Sequence, residues 1–516
     1  MNKQISSADL AQLMASDRLF AVFDARERGE YNDEQIPNST SLPRSQIEFR
    51  ITDLVPNRKI PIVVYDEGGA RAELAAATLN ELGYEDVSLL NGGLAAWRAE
   101  QRETVSGVNV PSKAFGERVH HERAVPDLAP EVLKALIDRQ EDLTILDMRT
   151  PEEYGRFCIP GGINVPGGEL IHWVDELRKK PAVIVNCAGR TRSIIGAAAL
   201  RRLGLTNVRA LRNGTMGWVL AGFQLENKPS RFGKASLNQS GALAAAERIA
   251  AEENISSTPP DEVARLNDGD GVHYLIDVRS EAEFTAGHIA GSINLPGGQA
   301  VQRADDFVAV RNGDIIFISD HGARAVMAAY WYRQMGFKHV SVLQGGLNGW
   351  RAGGRSVAVA SAAAEPLAIG MARRGLRFIG AAELFKLSES TSSLILHVGT
   401  SLEHENAHVS GAKWICRGWI DVKIPELFPD RARQIVLTCA DGRQSIFAAR
   451  QLARGGYGNV LVLDGGLKSW TAAGFATSTG LDDCLVKPND VVLSPSIRGS
   501  KEDMLNYLNW ELKLKH

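Results

Sequence analysis

Cys187 heads the stretch Cys187-Ala188-Gly189-Arg190-Thr191-Arg192-Ser193, which follows the apolar run Ala182-Val183-Ile184-Val185 and precedes a helix-like run from Ile194 to Leu203. This order places a thiol where a strand ends and a helix begins. N–H groups of a tight loop there converge with the positive end of the helix dipole, which favours a thiolate. Arg190 and Arg192 add positive charge and supply donors for an anionic substrate. The chemistry that these residues suit is attack of a thiolate on an anion, with Ala188, Gly189, Thr191 and Ser193 as the loop positions that would bind it.

The elements that must hold this loop are written four times. A Leu-x-Gly-Gly-x-x-x-Trp phrase ends at Trp97, Trp350 and Trp470, with a near match from Leu211 to Trp218. The tryptophans recur roughly every 120–130 residues, a domain-sized spacing far longer than a solenoid repeat. A second marker opens three of the units, as Asp24-Ala25-Arg26, Asp147-Met148-Arg149 and Asp277-Val278-Arg279; the fourth unit has His397-Val398-Gly399 there. Between the markers, Gly-x-x-Asn-x-Pro occurs as Gly161 to Pro166 and Gly291 to Pro296.

In the second unit the pattern predicts strands over 143–146, 162–165, 182–186 and 208–211, and helices over 152–157, 169–179 and 193–203. Alternation of this kind implies a parallel sheet covered by helices on both faces, with ligands at the carboxyl ends of its strands. Cys187 sits at such an end. The expected domains are 1–105, 124–230, 254–358 and 370–480, with 481–516 as a C-terminal helical tail in which Met504, Leu508 and Leu512 recur at i, i+4 spacing and dock back on a domain. The segments 108–125, 234–253 and 356–365 are read as connectors, the second of them helical.

Composition fits a protein built of several domains. Lysine plus arginine (58) nearly balance aspartate plus glutamate (61) for a formal net charge of −3, and no basic tract stands out, which argues against a nucleic-acid partner. No run has the length of a signal peptide core or a membrane span, so the expected location is cytoplasmic and no membrane partner is expected. Five cysteines spread unevenly suit a reducing compartment rather than a disulfide framework.

The Asp-x-Arg opening, Gly-His-Ile-x-Gly-x-x-Asn-x-Pro at Gly287 to Pro296, the six-residue loop Cys187 to Arg192 and the Gly-Gly-x-x-x-Trp close together resemble the rhodanese, or thiosulfate sulfurtransferase, family. The resemblance covers nearly the whole chain as four tandem rhodanese-like α/β domains. It implies a persulfide carried on Cys187, taken from thiosulfate or a related donor and passed to cyanide or a thiol. By the same resemblance Cys187 is the nucleophile, Arg192 binds and orients the donor oxyanion, and Arg190 is a second, more adaptable cation. No cofactor and no metal are expected; self-association is left open.

The matching loops of the other units differ in their chemistry. Asp66-Glu67-Gly68-Gly69-Ala70-Arg71 has a carboxylate, and Ser319-Asp320-His321-Gly322-Ala323-Arg324 a hydroxyl, where a persulfide would need sulfur. Cys439-Ala440-Asp441-Gly442-Arg443-Gln444 keeps the thiol but puts Gln444 where Arg192 stands, which makes Cys439 and Arg443 a candidate second site and a relay thiol or inert remnant its alternatives. Two other functions compete for the whole chain. One is a non-enzymatic persulfide-sensing or scaffold protein; the other is a cysteine phosphatase, whose Cys-x5-Arg loop is one residue longer than Cys187 to Arg192. Cys158 is read as a loop residue near the cleft and an alternative redox thiol, Cys416 and Cys484 as bystanders, and His120-His121 as solvated. His404 and His408 have helical metal-pair spacing without a third ligand, and Asp147 with Arg149 is read as a structural pair.

Overall fold

The computed structural model describes residues 3–233, 239–267, 271–359, 365–388 and 393–514. Among these residues there are four five-stranded sheets. In every one the strands, numbered in chain order within the sheet, lie side by side as 1-5-4-2-3, and all pairings are parallel. The central strands are Ile62–Tyr65, Val183–Asn186, Asp314–Ile318 and Ile435–Thr438. They are short, rich in β-branched residues and buried along almost their whole length, as strands covered on both faces must be.

The chain forms two compact units. One holds Met1–Val108 with Ala363–Val492, the other Asn109–Ala362 with Leu493–His516. The first unit therefore contains the first and fourth repeats, and the second unit contains the second and third repeats with the tail.

In the second repeat the strands are Asp127–Leu128, Thr144–Asp147, Ile163–Asn164, Val183–Asn186 and Val208–Leu211. The first of these, and the helix Pro130–Asp138 that follows it, escape the periodicity because the strand is two residues long. The expected helix over 169–179 is a 3₁₀ stretch, Gly167–Trp173, followed by one α-turn at Val174–Leu177. Helix Thr191–Arg202 starts two residues earlier than the pattern suggests, inside the cysteine loop itself.

Two connectors are helical. Helix Gln239–Glu252 agrees with the sequence pattern; residues 234–238 of that connector, and 360–364 of the next, lie outside the described residues. Helix Val110–Glu122 goes beyond that pattern, since its polar sequence shows little amphipathic contrast. The tail forms helix Lys501–Leu512, opened by a Ser500/Asp503 capping box. Met504 and Leu508 pack against Ala188 and Met216 of the second repeat, whereas Leu512 is exposed and lies outside the packed stripe. Among the described residues no helix is long and apolar enough to cross a membrane.

Candidate active site

Cys187 stands directly after Asn186, the last residue of the central strand of the second sheet. The neighbouring strand is in register, Asn186 opposite Asp147, so the Asp147–Arg149 turn lies beside the cysteine loop. That pair is structural: Arg149 bonds Asp147 with Nε and Nη2, the latter at 2.7 Å, and also donates to the Phe157 carbonyl. The thiol is 2% exposed and its Sγ lies 3.5 Å from Ser193 Oγ.

The repeated Gly-Gly phrase has a direct role in shaping the loop. Thr215 and Met216 donate their N–H groups to the carbonyls of Cys187 and Ala188 at 2.9 and 3.0 Å. This contact is so close that a Cβ on Gly214, at φ +55°, would lie 2.1 Å from the Cys187 carbonyl oxygen. Gly93, Gly346 and Gly466 meet the other three loops in the same way, at 2.5 Å. The near match in the second repeat follows from the residue before Gly214. Asn213 adopts φ 60°, a left-handed conformation that asparagine tolerates, and its Oδ1 accepts from Arg190 Nη1 at 3.2 Å.

The first loop shows what the backbone is arranged to hold. Asp66, at the position of Cys187, accepts from the N–H groups of Gly68 (2.7 Å), Gly69 (2.9 Å) and Ala72 (3.1 Å). Ser319 in the third loop accepts from Gly322 and Ala325 at 3.1 and 3.3 Å. Donors two, three and six residues on therefore converge on the head of the loop, and a carboxylate there is bound as an anion. The equivalent positions around Cys187 are Gly189, Arg190 and Ser193.

Both arginines of the Cys187 loop are bonded to carboxylates of the protein. Arg192 makes a two-pronged pair with Glu153 at 2.6 and 2.7 Å, and Arg190 makes another with Glu117 at 2.6 and 2.7 Å. Burial alone would raise the Glu153 carboxyl, but Arg192 outweighs it and holds the group at about 2. The positive charge that Arg190 and Arg192 bring to the loop is thus balanced by Glu117 and Glu153. Arg71 pairs with Glu30 and Arg324 with Glu283 in the same geometry. In each case the glutamate is the third helical residue of a capping box in the helix that follows the Asp-x-Arg turn. The joint occurrence of this glutamate and the closing arginine in three repeats is a signal present in the sequence that the motif reading passes over.

The fourth repeat breaks that pattern. Glu403 occupies the capping box, but Gln444 replaces the arginine and donates instead to the Ser45 carbonyl at 2.9 Å. Arg443 is bonded to Asp441 within its own loop, at 2.7 Å. Cys439 is 1% exposed, and burial pushes its thiol pKa up despite hydrogen bonding from Ser445.

Other candidates fall away from the Cys187 loop. Cys158 is buried on the short strand Phe157–Cys158 and is contacted by Arg231 at 3.7 Å; burial, then Glu226, push its pKa up to about 11. Cys416 is buried beside Glu27, and Cys484 is partly exposed. His404 and His408 stack face to face with ring centroids 3.7 Å apart, and His397 meets His404 edge-on at 5.1 Å. Among the described residues no group of three His, Cys, Asp or Glu is arranged to hold a metal. His120 is not simply solvated: its Nδ1 is 3.4 Å from Arg190 Nη2.

The comparisons agree with this architecture. The Rhodanese-like domain family matches residues 6–100, 129–221, 259–353 and 380–473. A crystal structure of thiosulfate sulfurtransferase from Pseudomonas aeruginosa superposes with a TM-score of 0.90 at 37% identity, over 99% of this chain and 97% of that one. Thiosulfate sulfurtransferase of Azotobacter vinelandii is 28% identical over 222 residues, covering 39% of this chain and 78% of its own. YrkF of Bacillus subtilis is 30% identical over 96 residues, 19% of this chain, and the match spans about half of that relative, 52%. With four matched segments that together make up most of its length, and the same parallel sheet and loop in each, the chain belongs to the rhodanese-like domain family.

Proposed function

We propose that this protein is a sulfurtransferase that moves sulfane sulfur through a persulfide on Cys187. The observation that carries the reading is the set of N–H donors that binds the Asp66 carboxylate in the first repeat and the Ser319 hydroxyl in the third, at the loop position that Cys187 occupies in the second. Support also comes from the relatives, two of which are described as thiosulfate sulfurtransferases. The Cys187 thiolate attacks the outer sulfur of thiosulfate. A new S–S bond forms, the old one breaks, and sulfite leaves with its electron pair. The terminal sulfur of the persulfide carries the negative charge, and the loop N–H groups stabilise it as they would any oxyanion. Cyanide or a thiolate then takes the outer sulfur and regenerates Cys187.

In this reading Arg192 works through Glu153 to fix the start of helix Thr191–Arg202, because a direct bond to the donor would require breaking a two-pronged pair. Cys439, whose thiol burial pushes above its ordinary pKa and whose loop has Gln444 in place of the closing arginine, is the slower site. The test is the mass of the intact protein after brief exposure to thiosulfate and then to cyanide. Wild type and Cys439→Ser gain about one sulfur mass and release it as thiocyanate, whereas Cys187→Ser does not. Equal gain in Cys187→Ser, or none in wild type with thiosulfate or a thiol persulfide, refutes the assignment.

A further inference from the structure

The Cys187 loop is covered by two segments that lie outside the repeated sheet-and-helix pattern. Helix Val110–Glu122 packs along helix Thr191–Arg202, so closely that a Cβ on Gly116 would lie 2.8 Å from Thr191 Cγ2. The terminal helix crosses the loop itself. A Cβ on Gly189 would lie 3.3 Å from Glu511 Oε2 and 3.5 Å from Tyr507 Cε1. Lys113 is held between these two helices, its ammonium bonded to the Tyr507 hydroxyl and 3.5 Å from Glu511 Oε1. Glu511 Oε1 also accepts the Thr191 hydroxyl at 2.5 Å, while Glu511 Oε2 is buried with no hydrogen-bond partner among the described residues.

The charge balance of the site turns on this pair. Arg190 and Arg192 are each matched by a carboxylate at 2.6–2.7 Å. Lys113 and Glu511, side chains 5% and 1% exposed, are apart by 3.5 Å and bonded to other groups. Burial opposes the charge on Lys113, yet Tyr507, Glu511 and the Cys187 sulfur together raise its pKa. Beside them a cleft of about 700 Å³, lined by His120, Arg190, Asn213 and Leu512, reaches the edge of the terminal helix.

We propose that Lys113 and Glu511 set the charge that the anionic end of a donor meets at Cys187, Lys113 attracting it and Glu511 opposing it, with Tyr507 holding the ammonium in place. The inference rests on the sulfur-transfer reading above and names the groups that select its donor. When the S–S bond of thiosulfate breaks, the electron pair leaves on sulfite, so a doubly charged anion must be accommodated both before and after the step. A cation in a buried site acts on both species, and an adjacent carboxylate limits how strongly either is held.

Full-length Lys113→Met, Tyr507→Phe and Glu511→Gln separate this role from a structural one. In thiocyanate formation, Lys113→Met lowers kcat/KM for thiosulfate about tenfold, mainly through KM, and Tyr507→Phe lowers it less. Glu511→Gln, which keeps an acceptor for Thr191, raises it about three- to tenfold. A second readout needs no sulfur transfer: the ratio of Cys187 labelling rates with iodoacetate and iodoacetamide, read by mass on the Cys187 peptide. Reagent charge is the main difference between the two, so the ratio falls in Lys113→Met and rises in Glu511→Gln. Should Lys113→Met fail to fold, the sign of the Glu511→Gln change decides alone. Ratios within twofold of wild type, changes of the same sign in both variants, or no labelling of Cys187 by either reagent overturn the proposal. A wild type that labels as expected but carries no sulfur would instead remove the sulfur-transfer reading.

Discussion

Replacing Glu153 by glutamine removes one charge and almost no volume, and it tests the account of the loop arginine. The side chain keeps an acceptor for the Thr150 N–H, so the capping box survives while the pairing with Arg192 is lost. Arg192 holds the Glu153 carboxyl at about 2 against an ordinary 4.5. A displacement of about 2.5 units corresponds to about 3.4 kcal/mol at 1.36 kcal/mol per unit, a ceiling for a carboxylate whose side chain is 24% exposed. The expected loss is about 2–3 kcal/mol at pH 7, below the roughly 3–5 kcal/mol for breaking a fully buried pair because Glu153 is partly exposed. In a cooperative unit of 150–250 residues that lowers the unfolding temperature by about 5–10 °C. Because the folded pKa is depressed, the stabilisation is complete above about pH 4.5 and disappears as the pH falls toward 2. Calorimetric scans of wild type and Glu153→Gln should therefore differ most at neutral pH and converge in acid. Equal stability at pH 7, or a gap that stays constant from pH 7 to 3, would show that the pair does not hold the loop.

Two further outcomes follow from the other repeats. Asp66→Ala leaves three inward N–H groups without their charged acceptor and should destabilise the first repeat by about 2–4 kcal/mol, against about 1 kcal/mol for Ser319→Ala in the third, where a neutral hydroxyl accepts two longer bonds. Hydrogen exchange resolved by repeat measures both, and equal losses would argue against an anion-binding ring. In the fourth repeat burial lowers His397 to about 3 and His404 to about 4, so the unfolded chain takes up protons more readily than the folded one below about pH 6.5. Its stability should fall progressively from pH 6.5 toward 4, and His397→Leu should flatten that slope in urea titrations; an unchanged slope would show that these rings remain protonated when folded.

Much of the site is legible in the order of the residues alone. The strand run Val183–Asn186 and the small, polar loop after it place Cys187 at a strand end, because strand burial and helix initiation are written in local residue types. The Gly-Gly phrase is visible as a repeat, although its reason is not: Gly214 is small because the Cys187 carbonyl lies against it, and nothing in spacing shows that approach. Glu153 is equally hard to single out, since an N3 glutamate is already explained by its capping box. Val110–Glu122 reads as a connector because Ser112, Lys113 and Glu117 are buried beside Phe115 and Val119, so that polar residues share the inner face and the apolar stripe is only two residues long.

By itself the sequence determined the number of repeats, the parallel α/β character of each, and which loops carry sulfur, a carboxylate or a hydroxyl. These follow from short-range pattern and from side-chain chemistry that no fold can alter. Only the tertiary structure decided that the loop arginines are matched by Glu117 and Glu153, and that a third buried pair, Lys113 with Glu511, lies beside the cysteine loop. Lys113 and Tyr507 meet across 394 residues of chain. Contacts of that span are selected by the packing of whole helices, which leaves no periodic trace in either segment, so the surroundings of Cys187 had to be seen rather than read.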